Sequence, residues 1–386
     1  MAMATYNGER FLQEQLDSLA RQTLLPFELI VCDDGSMDGT LDILHRFAAK
    51  APFPVQIHRN PERLGCGENF LQAVGLCEGD LVAFSDQDDV WLPEKLAVCA
   101  QALEVDGATM VVHLANLVDE GLKPKGRTWP SQSRRWAGWW NSYELLERKG
   151  MAGAVMVFRR SAAEPLLADP NLHRAFAGHD DAMGFVAGAA GRVISLRQVL
   201  GLHRCHASNS SKSHEAAADS AVAYVLGARG ARGRLAAATT WMRTHADLAK
   251  GTGWGDYARE AESLRSRAKV LGEAATHAEG RLRAMLERSS HVLSRRAEAF
   301  GERSALYQDA AGRARPRFFR MVVGGSYGRR NRGGLGLWSL AKDCLVALRF
   351  SRGQSPTVAE GKPGGRADPV ERGKQLIDAP AKRGGS

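Results

Sequence analysis

A short apolar run that ends in three acids constrains this chain more than any other feature of its sequence. Leu81–Phe84 has the composition of a buried strand, and Asp86, Asp88 and Asp89 follow it closely. Carboxylates at the end of a buried strand are costly without a positive charge. We therefore expect a divalent cation, because Mg²⁺ and Mn²⁺ prefer carboxylate and diphosphate oxygens. The alternative is that these acids only stabilise the N-terminus of a helix that begins near Pro93.

The first 211 residues alternate short strand patterns with amphipathic helix patterns. Repeated β-α-β units of this kind predict an α/β fold with a mostly parallel sheet flanked by helices. Ligands of such sheets bind outside the carboxyl ends of the strands. Polar segments follow three of the predicted strands, at Thr5–Gly8, Asp33–Ser36 and Asp86–Asp89, so we expect them to meet in one crevice.

The net charge of +9 is divided unevenly along the chain. Residues 1–211 carry 20 Lys and Arg against 26 Asp and Glu, whereas residues 212–386 carry 32 against 17, a net charge of +15. This asymmetry predicts a polyanionic partner for the second half, either membrane lipid or nucleic acid. The alternative is that arginine is simply the surface residue of Ala- and Arg-rich helices. No nucleic acid is expected, because the sequence lacks zinc-finger spacing, an RRM signature and a basic zipper.

Composition divides the chain into three parts. We expect an α/β domain over residues 1–211, a basic helical extension over 212–350, and a disordered tail of Gly, Pro and charged residues over 351–386. The six cysteines lack CxxC spacing, which favours reduced thiols over a zinc site or disulfides. No apolar run approaches the ~18 residues that span a bilayer, and the first residues lack a secretory pattern. We therefore expect a cytoplasmic protein.

Five motifs carry a resemblance to a known family, and they cover roughly residues 1–210 in order and at the right spacings. They are Met3–Glu9, Glu28–Ser36, Asp38–Thr40, Asn60–Gly65 and Ser85–Lys95. Together they resemble glycosyltransferase family 2, and its rhamnosyltransferase-like branch in particular. The resemblance implies a GT-A fold with a Rossmann-like sheet, a Mn²⁺ or Mg²⁺ cofactor, and an inverting transfer from a nucleotide-diphosphate sugar.

The resemblance implies a nucleotide-sugar site at the strand ends. Asp34 corresponds to a carboxylate that accepts a hydrogen bond from the pyrimidine N3, a task that suits a group that accepts and cannot donate. Asp86 corresponds to a residue between the ribose and the metal. The other positions assigned to the nucleotide sugar are Ala4, Thr5, Tyr6 and Glu9 around the first strand end, and Gly65 and Asn69 in a loop and helix that close over the nucleotide.

Metal ligands and a catalytic base are implied in the same way. Asp88 should bind the cation, with Asp86 beside it and His206 as a third ligand, although a lone histidine is more often structural. Asp89 should turn towards the start of the next helix. The base that takes the proton of the acceptor hydroxyl should be Asp180, with Asp181 as the runner-up. The alternative for Asp180 is the N-cap of a helix over 182–187.

Two departures from the family pattern lead to further expectations. The chain begins inside the first strand, so we expect that strand to be clipped and the true start to lie upstream. The segment after His179 lacks the aromatic residues often seen there, which leaves the acceptor open. Four tryptophans follow the α/β pattern and either line an acceptor or lipid groove or cover the core: Trp129, Trp136, Trp139 and Trp140.

The resemblance therefore predicts an inverting, metal-dependent glycosyltransferase of cell-surface glycan synthesis. Its donor would be dTDP-L-rhamnose or, as the alternative, a UDP-hexose or UDP-N-acetylhexosamine, and its acceptor a hydroxyl of a polyprenyl-linked or polysaccharide glycan. Two other classes are a basic nucleic-acid- or membrane-binding protein without catalysis, and an inactive binding module. The intact acids Asp34, Asp86, Asp88 and Asp180 argue against the inactive module.

A last expectation concerns the basic segment 318–343, where aromatic and aliphatic residues alternate with arginine. This pattern predicts peripheral contact with an anionic membrane, here the inner face of the plasma membrane. The alternative is ordinary packing of the segment against the first domain.

Overall fold

The chain folds around one nine-stranded β-sheet in the computed structural model. The described part of the chain comprises residues 1–129, 153–169, 171–176, 178–207, 209, 255–308, 311–328, 335 and 340. Its strands are β1 (Ala2–Thr5), β2 (Leu29–Asp33), β3 (Val55–Arg59), β4 (Leu81–Asp86), β5 (Val90–Trp91), β6 (Ala108–Val118), β7 (Pro124–Trp129), β8 (Met156–Arg159) and β9 (Arg192–Arg204).

The α-helices of the described residues fall into two groups. Those that alternate with the strands are α1 (Glu9–Ala20), α2 (Thr40–Ala48), α3 (Cys66–Leu76), α4 (Lys95–Leu103), α5 (Glu164–Ala168) and α6 (His179–Ala190). Those of the basic half are α7 (Gly255–His277), α8 (Gly280–Gln308) and α9 (Ala311–Val323).

The sheet has the strand order β3-β2-β1-β4-β8-β6-β9-β5, with β7 paired to β6. Strands β3, β2, β1 and β4 are parallel, which confirms the predicted α/β fold. Beyond them the sheet is mixed: β8 is antiparallel to β4 and β6, β9 is parallel to β6, and β5 is antiparallel to β9. The antiparallel strands belong to the second half of the sheet, so the wholly parallel arrangement is confined to the first four strands.

The central strands are apolar on both faces because helices cover both faces. All five residues of β2 are buried, as expected for a parallel strand between two layers. Alternate residues enter two cores: Ile30 and Phe84 pack with α3, whereas Val31 and Ala83 pack with α1 and α2.

Strand β1 lies at the centre of the parallel half. It spans four residues, and Met3 lies opposite Val31 on one side and Ser85 on the other. The Met1 amino group donates a hydrogen bond to the Glu28 carbonyl oxygen at 2.8 Å. The register places Thr5 beside Asp33 and Ala4 beside Asp86, so the acids of two strand ends lie next to β1.

Helices α7 and α8 pack on the α/β layer. Leu264, Leu271, Leu286 and Leu293 belong to the same core as Phe84. The boundaries expected at residues 211 and 350 lie outside the described residues, as do Trp136, Trp139, Trp140 and the tail 351–386. Among the described helices, none combines the length and the apolar character needed to cross a membrane.

Candidate active site

Hydrogen bonds join the carboxyl ends of β1, β2 and β4. The Gln87 side chain bonds the Tyr6 backbone twice, accepting from the amide at 2.9 Å and donating to the carbonyl oxygen at 3.1 Å. The Asn7 amide donates to Ser36 Oγ at 2.9 Å. The three polar segments predicted to meet in one crevice therefore do meet, and Gln87, which no sequence pattern singles out, ties two of them together.

The first acid of the β2 end holds the crevice wall. The buried Asp33 carboxylate accepts hydrogen bonds from Thr5 Oγ1 at 2.9 Å and from the Ser36 amide and hydroxyl at 2.9 and 2.5 Å. Thr5 is itself buried. The hydroxyl of Thr5 is therefore committed to the scaffold, while its backbone lies at the strand end.

Asp34, the residue directly after β2, binds the loop that follows β3. Its Oδ1 accepts from Asn60 Nδ2 at 3.1 Å and from the Leu64 amide at 2.7 Å, and its Oδ2 accepts from the Gly65 amide at 2.8 Å. The Asp34 carboxylate thus holds loop 60–65 over the β1 and β2 ends. A nucleotide base that used this carboxylate would share it with the loop.

Asn69 and Gly65 fix that loop to α3. The buried Asn69 side chain donates to the Cys32 carbonyl oxygen and accepts from Asn60 Nδ2, both at 2.8 Å. Gly65 has a φ of +87°, which favours glycine where the chain turns into the helix. Both residues position the loop, and the amide of Asn69 faces the protein.

The Tyr6 ring and the Arg63 guanidinium lie together at the end of the crevice where the nucleotide is predicted to bind. The Arg63 guanidinium lies 3.8 Å from the Tyr6 ring centroid, and its Nε lies 3.8 Å from Asp34 Oδ2. Glu9 lies further out, where its carboxylate accepts from the Gly39 amide at 3.0 Å. Arg63 was missed in the sequence because exposed loop arginines are common and no spacing marks this one.

The three acids after β4 have separate surroundings. Asp88 Oδ2 lies 2.8 Å from His206 Nε2, and the His206 ring packs against Phe11 with a centroid distance of 4.9 Å. Burial and then the charges of Asp89 and Asp88 raise the pKa of Asp86 well above its ordinary value. Of the three residues predicted to surround a cation, Asp88 and His206 are in direct contact, and the charge of Asp88 acts on Asp86.

Asp89 differs from its predicted orientation. It does not turn to the next helix but is buried against β9, where its carboxylate oxygens lie 3.0 and 3.1 Å from His203 Nδ1. Its Oδ1 also accepts from the Arg204 amide at 3.0 Å. The physical reason is that β5 pairs with β9 and brings a basic strand end beneath the acids.

Arg204 also binds the turn that carries Asp88 and Asp89. Its buried guanidinium donates from Nε to the Asp88 carbonyl oxygen at 2.8 Å and also bonds the Glu120 carbonyl oxygen and the Glu14 carboxylate. It lies 4.5 Å from the Phe11 ring centroid. The loop that carries Asp88 is therefore fixed by a charge-assisted bond to its backbone.

The donor set fits a hard divalent cation. Asp88 and His206 supply a carboxylate oxygen and an imidazole nitrogen, and the raised pKa of Asp86 marks a place where added positive charge would favour ionisation. Within the residues that the structure describes, no group of three His, Cys, Asp or Glu side chains is placed to hold a metal ion by itself. Mg²⁺ characteristically takes one or two carboxylates and completes its shell with water and substrate phosphates.

The two acids at the start of α6 face different surroundings. Asp180 is half-buried, and its Oδ1 accepts from the Asp181 amide at 2.9 Å. Asp181 is fully buried. Helix α6 begins at His179 with Gly178 as its N-cap, so Asp180 lies in the first turn and is not the N-cap. The negative charge of Asp180 contributes to the raised pKa of Asp86, which places the two carboxylates in one electrostatic site.

Cys66, at the first position of α3, is exposed, and four of the predicted acids act on it electrostatically. Desolvation, followed by the charges of Asp86, Asp180, Asp88 and Asp34, raises the pKa of its thiol to about 12. The acids predicted to serve the metal, the acceptor proton and the nucleotide therefore all act on this one side chain. No sequence pattern marks it, because its neighbours in space come from four separate segments.

A buried lysine lies behind the acids. Lys95 is fully buried, donates from Nζ to the Ala154 carbonyl oxygen at 2.6 Å, and lies 3.4 Å from the Trp91 ring centroid. Burial lowers the pKa of Lys95 to about 7, although the nearby Asp89 and Asp86 oppose that change. Lys95 thus joins the acid turn to the segment that leads into β8.

His203 and Lys95 should give the folding stability two opposing pH slopes. Burial opposes protonation of His203, but Asp89 raises its pKa from 6.5 to about 9, so its stabilising contribution is complete below about pH 6.5 and is lost as the pH rises towards 9. Lys95 acts in the opposite direction. Its lowered pKa means that folding must release the lysine proton or bury the charge, and this destabilisation disappears as the pH rises from about 7 to 10.5.

Replacing either His203 or Lys95 should leave the pH dependence of stability that comes from the other residue. Between pH 7 and 9, Lys95→Met should make the melting temperature fall more steeply with pH than in the wild type, and His203→Gln should make it rise. Each slope is at most about 1.4 kcal/mol per pH unit. Differential scanning fluorimetry across this range measures both, with His45→Gln at an exposed position of α2 as control. Unchanged slopes in both variants would refute these assignments.

The first part of the chain is similar in sequence to known glycosyltransferases. Residues 1–166 match the family model described as Glycosyl transferase family 2. The dTDP-rhamnosyl transferase RfbG of Shigella flexneri is 36% identical over 110 residues, which are 28% of this chain and 38% of that protein. The uncharacterized glycosyltransferase alr2836 of Nostoc sp. is 25% identical over 219 residues, which are 55% of this chain and 66% of that protein. The aligned segments span less than two thirds of either relative.

Among solved structures, S. aureus TarS 1-349 in complex with UDP aligns with 80% of this chain and 90% of its own chain, at 17% identity and a TM-score of 0.43. The family is carried by the first part of the chain, where the motif order, the parallel strand ends and the matched model coincide. Residues 1–166, less than half of the chain, are similar to glycosyltransferase family 2.

Proposed function

We propose that this chain is an inverting, metal-dependent glycosyltransferase that moves a sugar from a nucleotide-diphosphate donor to an acceptor hydroxyl. The observation that carries the proposal is that the segments bearing Asp34 and Asp86–Asp88 follow strands of one parallel sheet at the same edge, where Ala4 lies beside Asp86 and Asp88 contacts His206. A structural role alone does not explain several acids at one sheet edge, because like charges repel one another.

The nucleotide end is made by loop 60–65 and the β1 end. Tyr6 and Arg63 offer a ring and a guanidinium plane, and Asp34 offers acceptor oxygens where a pyrimidine carries N3–H. Ala4 and Glu9 lie along the same strand end. Because Asp34 already binds the loop amides, donor binding and loop position are coupled.

The proposed reaction is a single displacement. Asp180 takes the proton of the acceptor hydroxyl, the hydroxyl oxygen forms a bond to the anomeric carbon, and the bond from that carbon to the diphosphate breaks. Both electrons of that bond leave with the nucleotide diphosphate, and attack from the opposite face inverts the configuration. Asp88 and His206 would hold Mn²⁺ or Mg²⁺, which when bound acts as a Lewis acid on the diphosphate.

The proposed donor is dTDP-L-rhamnose, supported by the 36% identity of 110 residues to a protein named as a dTDP-rhamnosyl transferase. A UDP-hexose or UDP-N-acetylhexosamine is the alternative. The proposed acceptor is a hydroxyl of a polyprenyl-linked or polysaccharide glycan in cell-envelope synthesis, reached from the cytoplasmic face of the membrane.

A donor panel tests the proposal. With Mn²⁺ present, dTDP-rhamnose should raise the melting temperature more than UDP-glucose, UDP-N-acetylglucosamine or GDP-mannose. A ligand at 100 times its dissociation constant stabilises the folded state by about 2.7 kcal/mol, which corresponds to roughly 5–10 °C in a domain of this size. Transfer or slow hydrolysis of the same donor, abolished by EDTA, completes the measurement.

Asp34→Ala should lose the donor-dependent shift, because both the base contact and the anchoring of loop 60–65 are removed. Asp42→Asn, at an exposed position of α2, should retain it and serves as the matched control. If UDP sugars raised the melting temperature more than dTDP-rhamnose, the donor would be the alternative, a UDP sugar. No shift and no turnover with any nucleotide sugar would contradict the proposed function.

A further inference from the structure

Helix α9 has two apolar faces, and the described residues cover one of them. Met321 is buried and packs with Tyr327, Leu306 and Ala299. On the other face, Phe319 is 69% exposed and Val323 is 71% exposed. Val322 extends the exposed strip. A helix that packs in a protein core on all its apolar residues would not present this strip to solvent.

The segment that carries this strip is basic throughout. From residue 311 to residue 342 the sequence has no Asp or Glu, and its cations are Arg313, Arg315, Arg317, Arg320, Arg329, Arg330, Arg332 and Lys342. Arg320 is exposed beside Phe319. Arg317 is paired with Glu302 of α8 at 3.0 Å. The exposed apolar strip therefore lies within a strongly positive stretch of chain.

The positive charge of this segment and the exposed apolar side chains of α9 together indicate which kind of partner binds there. A second copy of this chain would bring the same positive charge to the contact, which is unfavourable. Nucleic acid would satisfy the arginines, but its phosphate backbone gives nothing to Phe319 and Val323. An anionic lipid surface satisfies both, because it attracts cations and buries apolar side chains at the headgroup boundary.

We propose that the exposed face of α9, formed by Phe319, Arg320, Val322 and Val323, docks on an anionic phospholipid bilayer. This inference goes beyond the proposed transfer reaction and does not depend on it. Docking needs no donor or metal, so it can be measured on its own.

The test is flotation of the full chain with lipid vesicles. Vesicles of phosphatidylcholine with about one-third phosphatidylglycerol should bind the chain strongly, and pure phosphatidylcholine weakly. Raising the salt from about 0.1 M to about 1 M shortens the Debye length from roughly 10 to 3 Å and should release much of the bound protein.

Three variants localise the contact. Phe319→Asp with Val323→Asp should lower partitioning roughly tenfold or more, because two apolar side chains no longer enter the bilayer. Arg320→Glu changes the charge by two and should lower it about 30-fold. Phe27→Asp is the matched control, since Phe27 is 70% exposed in another apolar segment, with Leu24 and Leu25. All four positions are exposed, and melting temperatures check folding.

Several outcomes would overturn the proposal. One is equal binding to neutral and anionic vesicles, and another is an equal loss in the Phe27→Asp control. A third is that the α9 variants convert an oligomer to a monomer by light scattering while vesicle binding is unchanged, which would make α9 a self-association face. The fourth is salt-dependent binding to random DNA that Arg320→Glu weakens in the absence of any vesicle binding.

Discussion

Asp180→Asn is expected to lower the rate of sugar transfer by roughly 10²–10⁴-fold, the usual contribution of a positioned general base. Asparagine keeps an oxygen that can accept the Asp181 amide hydrogen, now 2.9 Å from Asp180 Oδ1. The first turn of α6 should therefore stay folded. Because the removed group acts on the acceptor, donor-dependent thermal shifts should remain as in the wild type. Single-turnover transfer with the donor identified by the panel is the measurement.

The neighbouring acid separates catalysis from folding. Asp181 is fully buried, so Asp181→Asn should act mainly on stability and lower the melting temperature. Asp106→Asn, at an exposed position after α4, is the neutral control. If Asp181→Asn abolished transfer in a stable protein and Asp180→Asn did not, Asp181 would be the base. If neither variant lost activity, the catalytic base would not lie on α6.

The parallel half of the fold was predictable because each of its signals is local. A strand buried on both faces is a continuous apolar run, and Leu29–Cys32 and Leu81–Phe84 have that form. Polar residues after each run then had to lie at one edge, since parallel strands end together. For the same reason, the segments that carry Asp34, Asp86 and Asp88 could be placed at one edge of the sheet from the amino-acid sequence alone.

The residues that were missed depend on contacts between distant segments. Asp89 pairs with His203 because β5 lies beside β9, a contact that joins residues 114 positions apart. No spacing in one sequence marks such a pair. Lys95 was missed for a different reason: lysine near a helix start is normally a surface residue. The Trp91 ring, the Ala154 carbonyl oxygen and the nearby acids make its burial tolerable.

The largest effect on metal binding is expected from Asp88→Asn. Asp88 Oδ2 lies 2.8 Å from His206 Nε2, so the two form a ready pair of oxygen and nitrogen ligands. Asparagine has nearly the same shape but no negative charge, and Mn²⁺ affinity should fall by two orders of magnitude or more, on the order of 3 kcal/mol. Isothermal titration or the EPR signal of free Mn²⁺ measures this without any turnover.

Asp89, the acid next to Asp88, is a better control for the Mn²⁺ measurement than a distant residue. Asp89→Asn changes the same kind of group one residue away, but its carboxylate binds His203 and the Arg204 amide below the site. This variant should lose stability above all, because it removes the charge of the carboxylate that contacts the buried His203, while Mn²⁺ binding should persist in the folded fraction. If both variants bound Mn²⁺ like the wild type, the cation would not be held by this turn. If Asp89→Asn alone lost it, the roles of the two acids would be exchanged, and the Asp88–His206 contact would be an ordinary ion pair.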